Sequence, residues 1–266
     1  MPSLGRLRYL EAVPRPDVRP RGTLLLLHAF PLNARMWDDQ MPLADTGWRV
    51  VAPQFRGFDG GAGDPPAASV DDYAGDVIDL LDALHVKQAV VGGLSMGGYV
   101  AFALLRLAAR YVQGLVLADT RSEADTPEGA AGRTRLLQVL QERGPSAVAE
   151  EMVPKLLSQT ARSSRPALLE RVHALAVANS ADAIAGAIRA LKTRPDSTPL
   201  LSSIHVPTLV LVGDDDGLTP PPASEAMHGA IAGSELVRIP GAGHLSNLEQ
   251  PERFNAALAA FLTHRV

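Results

Sequence analysis

A serine stands between two glycines in the segment Gly93-Leu94-Ser95-Met96-Gly97. The apolar run at residues 89–92 predicts a buried strand before it, and the pattern at 96–109 predicts a helix after it. A Gly-x-Ser-x-Gly turn between a strand and a helix lifts the serine hydroxyl clear of the sheet, because the glycines let neighbouring backbone approach closely. The segment therefore predicts that Ser95 is a covalent nucleophile, with the backbone N–H of Met96 as one donor to the oxyanion that forms.

One histidine has the surroundings of a general base. His244 lies in the glycine-rich stretch from Pro240 to Leu245, directly after a predicted strand at 235–239. From such a loop the imidazole can reach a serine, take its proton and later return that proton to the leaving group. The following histidines have no motif around them and are predicted to be structural or solvated: His85, His173, His205, His228 and His264.

The acidic partner of the histidine has several candidates. Asp214, Asp215 and Asp216 follow a predicted strand at 208–213, and Asp119 ends another at 114–119. A buried carboxylate beside the imidazole would fix its tautomer and stabilise the imidazolium that forms during the reaction. The three consecutive aspartates lack the 12-residue spacing of a calcium loop, so we expect no calcium there.

Alternating strands and helices would position these side chains. Short apolar runs predict strands at 23–28, 49–53, 89–92, 114–119, 208–213 and 235–239, and helical patterns lie at 70–84, 96–109 and 251–262. Nearly continuous apolar runs of this kind are typical of strands that are buried on both faces of a parallel sheet. The pattern predicts an α/β fold with a mostly parallel sheet.

The region between the fourth and fifth of these runs breaks the alternation. Residues 121–201 show helical patterns and no convincing strand. We therefore expect a core formed by residues 1–120 and 202–266, with a helical cap at 121–201 inserted in it. Such an insertion at the carboxyl edge of a parallel sheet can cover the crevice in which ligands bind. Residues 57–68 are rich in Gly, Pro and Asp and predict an exposed loop.

Composition excludes several classes of protein. The chain has 266 residues, of which 46% are apolar, and its net charge is −4 with no cysteine. A negative balance argues against a nucleic-acid partner, and the lack of cysteine removes disulfides, thiolate nucleophiles and Fe–S clusters. No apolar run approaches 18 residues and the amino-terminal residues do not resemble a signal peptide, so we expect a cytoplasmic protein without a membrane partner. No His-Glu-x-x-His or other metal motif occurs, and we expect no metal and no cofactor.

The segment Gly92 to Tyr99 resembles the nucleophile elbow of the α/β-hydrolase superfamily. It is especially similar to the elbow of small carboxylesterases, 3-oxoadipate enol-lactonases and cofactor-free haloperoxidases, and the resemblance extends from Thr23 to the end of the chain. It implies an α/β-hydrolase fold, in which a mostly parallel central sheet is flanked by helices and carries an inserted helical cap. Relatives that attack halides or epoxides have Asp at the elbow, so the serine excludes those reactions.

The resemblance also implies a catalytic triad of Ser95, Asp216 and His244. In the family the acid stands three residues after the glycine that ends its strand, which selects Asp216 over Asp214 and Asp215. Some members place the acid after an earlier strand, so Asp119 stays open as an alternative.

A second oxyanion donor is implied near the start of the chain. The sequence His28-Ala29-Phe30-Pro31 is close to the family's His-Gly-x-Pro, which assigns the donor to the N–H of Phe30 and a structural role to His28. Ala29 replaces the usual glycine, and in the loop at 54–59 Gln54 and Asp59 also depart from the family pattern. Apolar residues beside the catalytic loops and in the insertion are expected to bind substrate: Leu32, Trp37, Met152, Leu156, Leu218 and Leu245.

These implications predict a serine carboxylesterase that hydrolyses small to medium acyl esters through an acyl-enzyme, as a monomer or homodimer. The partner would be a small-molecule ester. Three alternatives stay open: a lactonase, a peracid-forming perhydrolase, and a non-catalytic ligand receptor on the same fold. A lactone that carries carboxylates would need arginine near the pocket, for which Arg35, Arg121 and Arg133 are candidates.

Overall fold

A mostly parallel sheet forms the centre of the molecule. The computed structural model describes residues 1–4, 7–58 and 66–266. Its strands are β1 (Ser3–Leu4), β2 (Leu7–Ala12), β3 (Gly22–Leu27), β4 (Trp48–Pro53), β5 (Ala89–Leu94), β6 (Val112–Ala118), β7 (Thr208–Gly213) and β8 (Glu235–Ile239). They lie in the order β1-β2-β4-β3-β5-β6-β7-β8. Among the described strands, β2 pairs in antiparallel fashion with both β1 and β4, and all other neighbours pair in parallel. The six predicted strands correspond to β3 through β8, and the predicted parallel sheet is confirmed.

Helices cover both faces of the sheet. They include α1 (Val70–Ala83), α2 (Met96–Ala108), α7 (Pro221–Ala230), α8 (Ser246–Glu249) and α9 (Pro251–His264), together with a 3-10 segment at Ala34–Thr46. In β3, Leu25 and Leu27 pack in the cluster that contains α1 and α2, whereas Leu24 and Leu26 pack in the cluster that contains α9. The leucines at 24–27 of this central strand are therefore all buried, because alternate side chains enter two separate cores.

Four helices lie between β6 and β7, where the sequence predicts helices without a strand. They are α3 (Pro127–Leu156), α4 (Gln159–Ser164), α5 (Pro166–Val177) and α6 (Ala181–Thr193), and no strand occurs in this fully described stretch. Gly144 interrupts α3 with φ 79°, a left-handed backbone that glycine adopts freely, and Pro145 follows it. The helix is thus two pieces joined at a bend.

Several short elements escape the sequence prediction, among them α4, α8 and two elements that contain proline. Helix α7 begins in a run of prolines at 220–222. Such a run is typical of a loop, although proline is well suited to the first turn of a helix. The 3-10 segment at Ala34–Thr46 contains Pro42 and lacks a clear helical pattern. Of the predicted exposed loop at 57–68, residues 59–65, which include Asp59, lie outside the described residues.

Within the described ranges, no single helix has both the length and the apolar composition needed to cross a membrane. Helices α5 and α6 reach those limits only as a pair, and that pair is bent by 94°.

Candidate active site

Ser95 occupies a strained turn between β5 and α2. Its backbone has φ 55° and ψ −113°, a left-handed φ that residues with a side chain rarely adopt. A Cβ on Gly93 would lie 2.2 Å from the carbonyl oxygen of Gly97, and a Cβ on Gly97 would lie 2.1 Å from that of Leu27. Both flanking positions therefore need glycine because neighbouring backbone occupies the space of a side chain.

A chain of hydrogen bonds joins Ser95 to a histidine and an aspartate. The Oγ of Ser95 lies 2.8 Å from Nε2 of His244, and Nδ1 of His244 lies 2.8 Å from Oδ2 of Asp216. Ser95 follows β5, Asp216 follows β7 and His244 follows β8, so the three groups meet at the carboxyl edge of the sheet. The structure brings together the three residues that the sequence predicts as a triad.

Asp216 is held as an acceptor by several donors. Its Oδ1 accepts the N–H of Leu218 at 2.8 Å and that of Thr219 at 2.9 Å, while Oδ2 accepts the hydroxyl of Thr219 at 2.6 Å. Burial alone would raise the pKa of Asp216, but the facing His244 and the hydrogen bonds from His244 and Thr219 hold that pKa below its ordinary value. The carboxylate is thus ionised and able to stabilise an imidazolium. Sequence analysis missed Thr219, although its position three residues after an aspartate is a common turn signal.

The neighbouring aspartates are placed differently. Asp214 pairs with Arg238 at 2.6 Å near the surface, and the side chain of Asp215 is exposed. Asp119 is fully buried, but it contacts the backbone N–H of Gly213 at 2.8 Å and the hydroxyl of Ser246. Asp119 therefore links the strand end before Asp216 to the residue two after His244. Burial and the nearby Asp216 charge raise the pKa of Asp119 well above its ordinary value.

The loop after β3 and the elbow between β5 and α2 line the same cavity. Phe30 lines the cavity, and Met96 is the first residue of α2. Among the described residues, positive φ without glycine occurs only at His85, Ser95 and Asp119, so Ala29 meets no strain at the position where relatives carry glycine. The Nδ1 of His28 donates to the carbonyl oxygen of Ala29 at 3.1 Å and its Nε2 accepts the N–H of Phe55 at 3.2 Å.

Burial lowers the pKa of His28 to about 4, so the ring is neutral and both of its nitrogens are engaged.

Gln54 and Asp59 are the two residues that differ from the family pattern in the loop after β4. Gln54 is buried and its Oε1 accepts the N–H of Ala34 at 2.9 Å. This bond ties the loop after β4 to the start of the 3-10 segment.

A cavity of about 290 Å³ opens over Ser95 and His244. That volume is at the lower end for ligand sites, which suits a small ligand. Its apolar lining comes from the loop after β3, from α3 and α6, and from the loop after β7: Phe30, Leu136, Met152, Leu156, Leu191 and Leu218.

Three of the predicted pocket residues, Met152, Leu156 and Leu218, belong to this lining. The structure places Leu32, Trp37 and Leu245 in the apolar core instead, where each is at most 1% exposed. Trp37 packs there against Phe254, with 6.0 Å between ring centroids. Arg121 and Arg133 line the cavity, whereas Arg35 is exposed on the 3-10 segment and lies 3.8 Å from Asp38.

A buried glutamate joins the loop that holds His244 to the helices between β6 and β7. Oε1 of Glu249 accepts the N–H of Gly243 at 2.9 Å and that of Ser158 at 3.2 Å. Gly243 directly precedes His244, and Ser158 caps α4. Sequence analysis missed this role, because nothing local connects residue 249 to residue 158.

Of the residues that the structure describes, no three His, Asp or Glu side chains are grouped so that they could hold a metal ion.

Comparison with known proteins gives consistent matches over nearly the whole chain. A model described as the Alpha/beta hydrolase family matches residues 24–257. A thermophilic esterase from Thermogutta terrifontis, solved with malate bound, superposes with a TM-score of 0.90 at 37% identity and covers 97% of this chain and 93% of its own.

Two curated relatives are also similar in sequence. A pimeloyl-[acyl-carrier protein] methyl ester esterase from Neisseria meningitidis is 31% identical, covering 96% of this chain and 80% of its own. The 3-oxoadipate enol-lactonase 2 of Acinetobacter baylyi is 27% identical, covering 91% of this chain and 89% of its own. The relatives thus include esterases and an enol-lactonase.

Proposed function

This chain belongs to the α/β-hydrolase family and is a hydrolase of esters or lactones, and we propose that it is a serine carboxylesterase acting on small acyl esters. The observation that carries the proposal is the continuous hydrogen-bond chain from Asp216 through His244 to Ser95, with 2.8 Å at each step. That chain ends at a hydroxyl on the floor of the cavity of about 290 Å³. A nucleophile, a base and an orienting acid in this relation are the requirements of acyl transfer.

In the proposed reaction, Ser95 attacks the ester carbonyl carbon while Nε2 of His244 takes the hydroxyl proton. The backbone N–H groups of Phe30 and Met96 hold the oxyanion of the tetrahedral intermediate. His244 returns the proton to the alcohol oxygen as the carbon–oxygen bond breaks, leaving an acyl-enzyme. Water then gives a proton to His244 and attacks the acyl carbon. His244 returns that proton to Oγ of Ser95 as the bond between Oγ and the acyl carbon breaks and the acid leaves, while ionised Asp216 stabilises the imidazolium in both steps.

Residues 121–201 act in this proposal as a cap over a core formed by residues 1–120 and 202–266. Leu136, Met152 and Leu156 of α3 and Leu191 of α6 supply apolar walls of the cavity. Because the bend at Gly144 lies between Leu136 and Met152, both halves of α3 line the site. The cap would therefore set which acyl groups fit.

A test compares p-nitrophenyl esters from acetate to palmitate with wild type and the Ser95→Ala variant. We expect turnover to be fastest on short chains, because the cavity of about 290 Å³ has little room. The variant should lose at least about 10⁴-fold in kcat, since the groups of a triad act as a unit. Ser163→Ala, at an exposed serine on α4, is the matched control and should retain wild-type rates. Equal activity in Ser95→Ala and wild type would refute the proposed nucleophile.

Lactone hydrolysis is the second candidate, and the similarity to an enol-lactonase favours it. The same groups would open a cyclic ester, with the difference that the leaving alkoxide stays attached to the acyl-enzyme. Measuring kcat/KM for a panel of lactones and open-chain esters of equal size decides between the two. Preference for open-chain esters supports the proposed function, and preference for lactones replaces it with lactonase activity.

A further inference from the structure

The cavity over Ser95 is rich in positive charge, although the chain as a whole has a net charge of −4. Basic side chains that line it come from the loop after β6, from α3 and from the end of α6: Arg121, Arg133, Arg135, Lys155 and Arg194. Only two acidic residues, Asp125 and Glu151, share that lining among the described residues. The cavity lining therefore has an excess of positive charge, whereas the net charge of the chain is negative.

The most buried acidic group in the lining does not neutralise the basic ones. Asp125 accepts from Arg133 at 3.1 Å and from Arg194 at 2.7 Å, so one carboxylate serves two guanidinium groups. Burial opposes ionisation of Asp125, but the two arginines hold its pKa below the ordinary value. Asp125 is therefore a fixed single charge, and the excess of positive charge persists at neutral pH.

Arg121 is the basic residue best placed to bind an anion beside the triad. Its half-buried guanidinium donates from Nη2 to the carbonyl oxygen of Leu218, in the loop that also holds Asp216. No carboxylate lies within ion-pair distance of Arg121 among the residues that the structure describes. A guanidinium has five N–H donors, so this one keeps donors free for the two oxygens of a ligand carboxylate.

We infer that the substrate is an ester or lactone that carries a separate, ionised carboxylate, which Arg121 binds while Ser95 attacks the ester carbonyl. This inference rests on the proposed function and narrows its substrate class. Hydrolysis of such a compound consumes one water, breaks the acyl carbon–oxygen bond and leaves the recognised carboxylate unchanged. A neutral ester of the same shape would leave the positive charge of the cavity uncompensated after it excludes water, which weakens its binding.

The test uses pairs of substrates that differ only in charge. Monoethyl glutarate is compared with the ethyl ester in which an amide replaces the free carboxylate, and acetoxyacetate is compared with acetoxyacetamide. The carboxylate lies on the acyl side of the ester in the first pair and on the alcohol side in the second. For wild type we expect kcat/KM to be at least about tenfold higher for the charged member of one pair. In Arg121→Gln that ratio should fall at least about tenfold, mainly through a higher KM, because a charge-assisted hydrogen bond is lost.

Arg35→Gln removes an exposed arginine outside the cavity and is the matched control, expected to keep the wild-type ratio. Equal kcat/KM within both pairs, or an unchanged ratio in Arg121→Gln, would overturn the inference while the proposed esterase stands.

Calorimetric titration of glutarate into Ser95→Ala separates binding from catalysis. Saturable binding that Arg121→Gln weakens at least about tenfold supports the anion site even if no ester is hydrolysed. No binding, or binding that the arginine substitution leaves unchanged, contradicts it.

Discussion

Two buried carboxylates lie at the ends of neighbouring strands and have opposite pKa shifts. Asp216, after β7, makes four hydrogen-bond contacts that favour its charged form, one of them with the imidazole of His244. Asp119, after β6, is fully buried near the negative charge of Asp216, and burial and that charge both raise its pKa. The same residue type thus serves as an ionised partner of histidine in one place and as a support for two catalytic loops in the other.

The raised pKa of Asp119 predicts a pH-dependent effect on stability. An aspartate in the unfolded chain loses its proton near about pH 4, whereas folded Asp119 keeps its proton to higher pH. Between those values the folded state binds more protons, so its contribution to stability falls as pH rises. In Asp119→Asn this loss is removed, and the Tm of the variant minus the Tm of wild type should increase from about pH 4 to about pH 7.

Differential scanning calorimetry across that range measures the difference. Asp215→Asn, at an exposed carboxylate on the turn before Asp216, is the control, and its difference from wild type should stay constant with pH. A constant difference for Asp119→Asn as well would show that Asp119 is ionised in the folded protein.

At the scale of elements, the sequence predicted the strands and the elbow, because their apolar runs and glycines are set by neighbouring residues. The leucine run at 24–27 in β3 predicted a strand that is buried on both faces, and the elbow between β5 and α2 carries glycines that backbone contacts require. Helix α7 was missed because its first turn consists of prolines, which satisfy a helix start but hide its pattern.

The pocket shows where local patterns stop being informative. Leu32 and Leu245 flank the catalytic loops as closely in sequence as Leu218 does, yet they are fully buried in the core while Leu218 lines the cavity. The direction of each side chain depends on how the loops cross the sheet edge, and the residue type does not indicate that direction. Ser95 and His244 were identifiable from their own neighbourhoods, whereas the choice of Asp216 needed the spacing of a family.

The close backbone contact at Gly97 in the elbow predicts that alanine is not tolerated there. In Gly97→Ala the new Cβ would lie 2.1 Å from the carbonyl oxygen of Leu27 in β3, so α2 or β3 must shift. We expect a loss of about 3 kcal/mol in the free energy of unfolding, as in overpacked cores, and at least about a 10²-fold loss of kcat from displacement of Ser95. Urea unfolding and ester hydrolysis measure the two effects.

Gly75→Ala in α1 is the matched control, because a Cβ there meets nothing within 4 Å. This substitution should raise the free energy of unfolding by about 0.5–1 kcal/mol, since alanine loses less backbone entropy than glycine in a helix. A similar loss of activity in both variants would contradict the steric explanation.

At the scale of the whole molecule, the two ends of the stretch between β6 and β7 are bonded to each other. The N–H of Ser197 donates to the carbonyl oxygen of Ser122 at 2.8 Å, and the guanidinium of Arg194 donates to Asp125 at 2.7 Å. The same guanidinium lies 4.2 Å from the ring centroid of Tyr99 in α2. Residues about 70 positions apart thus join the two ends of the stretch between β6 and β7 and hold it against α2, and no pattern in the sequence predicted these pairs.

The ion pair between Asp125 and Arg194 predicts that the Asp125 carboxylate contributes to the stability of the whole fold. The side chain of Arg194 is only 2% exposed, so Asp125→Asn leaves a buried cation without its counter-charge. Breaking a buried pair in this way costs about 3 kcal/mol, which corresponds to a fall in Tm of about 6–12 °C for a chain of this size. Glu150→Gln, which breaks an exposed pair with Arg143 in α3, should lower Tm by less than about 2 °C. If thermal unfolding of the two variants gives equal shifts, the insertion is held by its apolar contacts with the core, and the buried arginine is satisfied by its backbone acceptors alone.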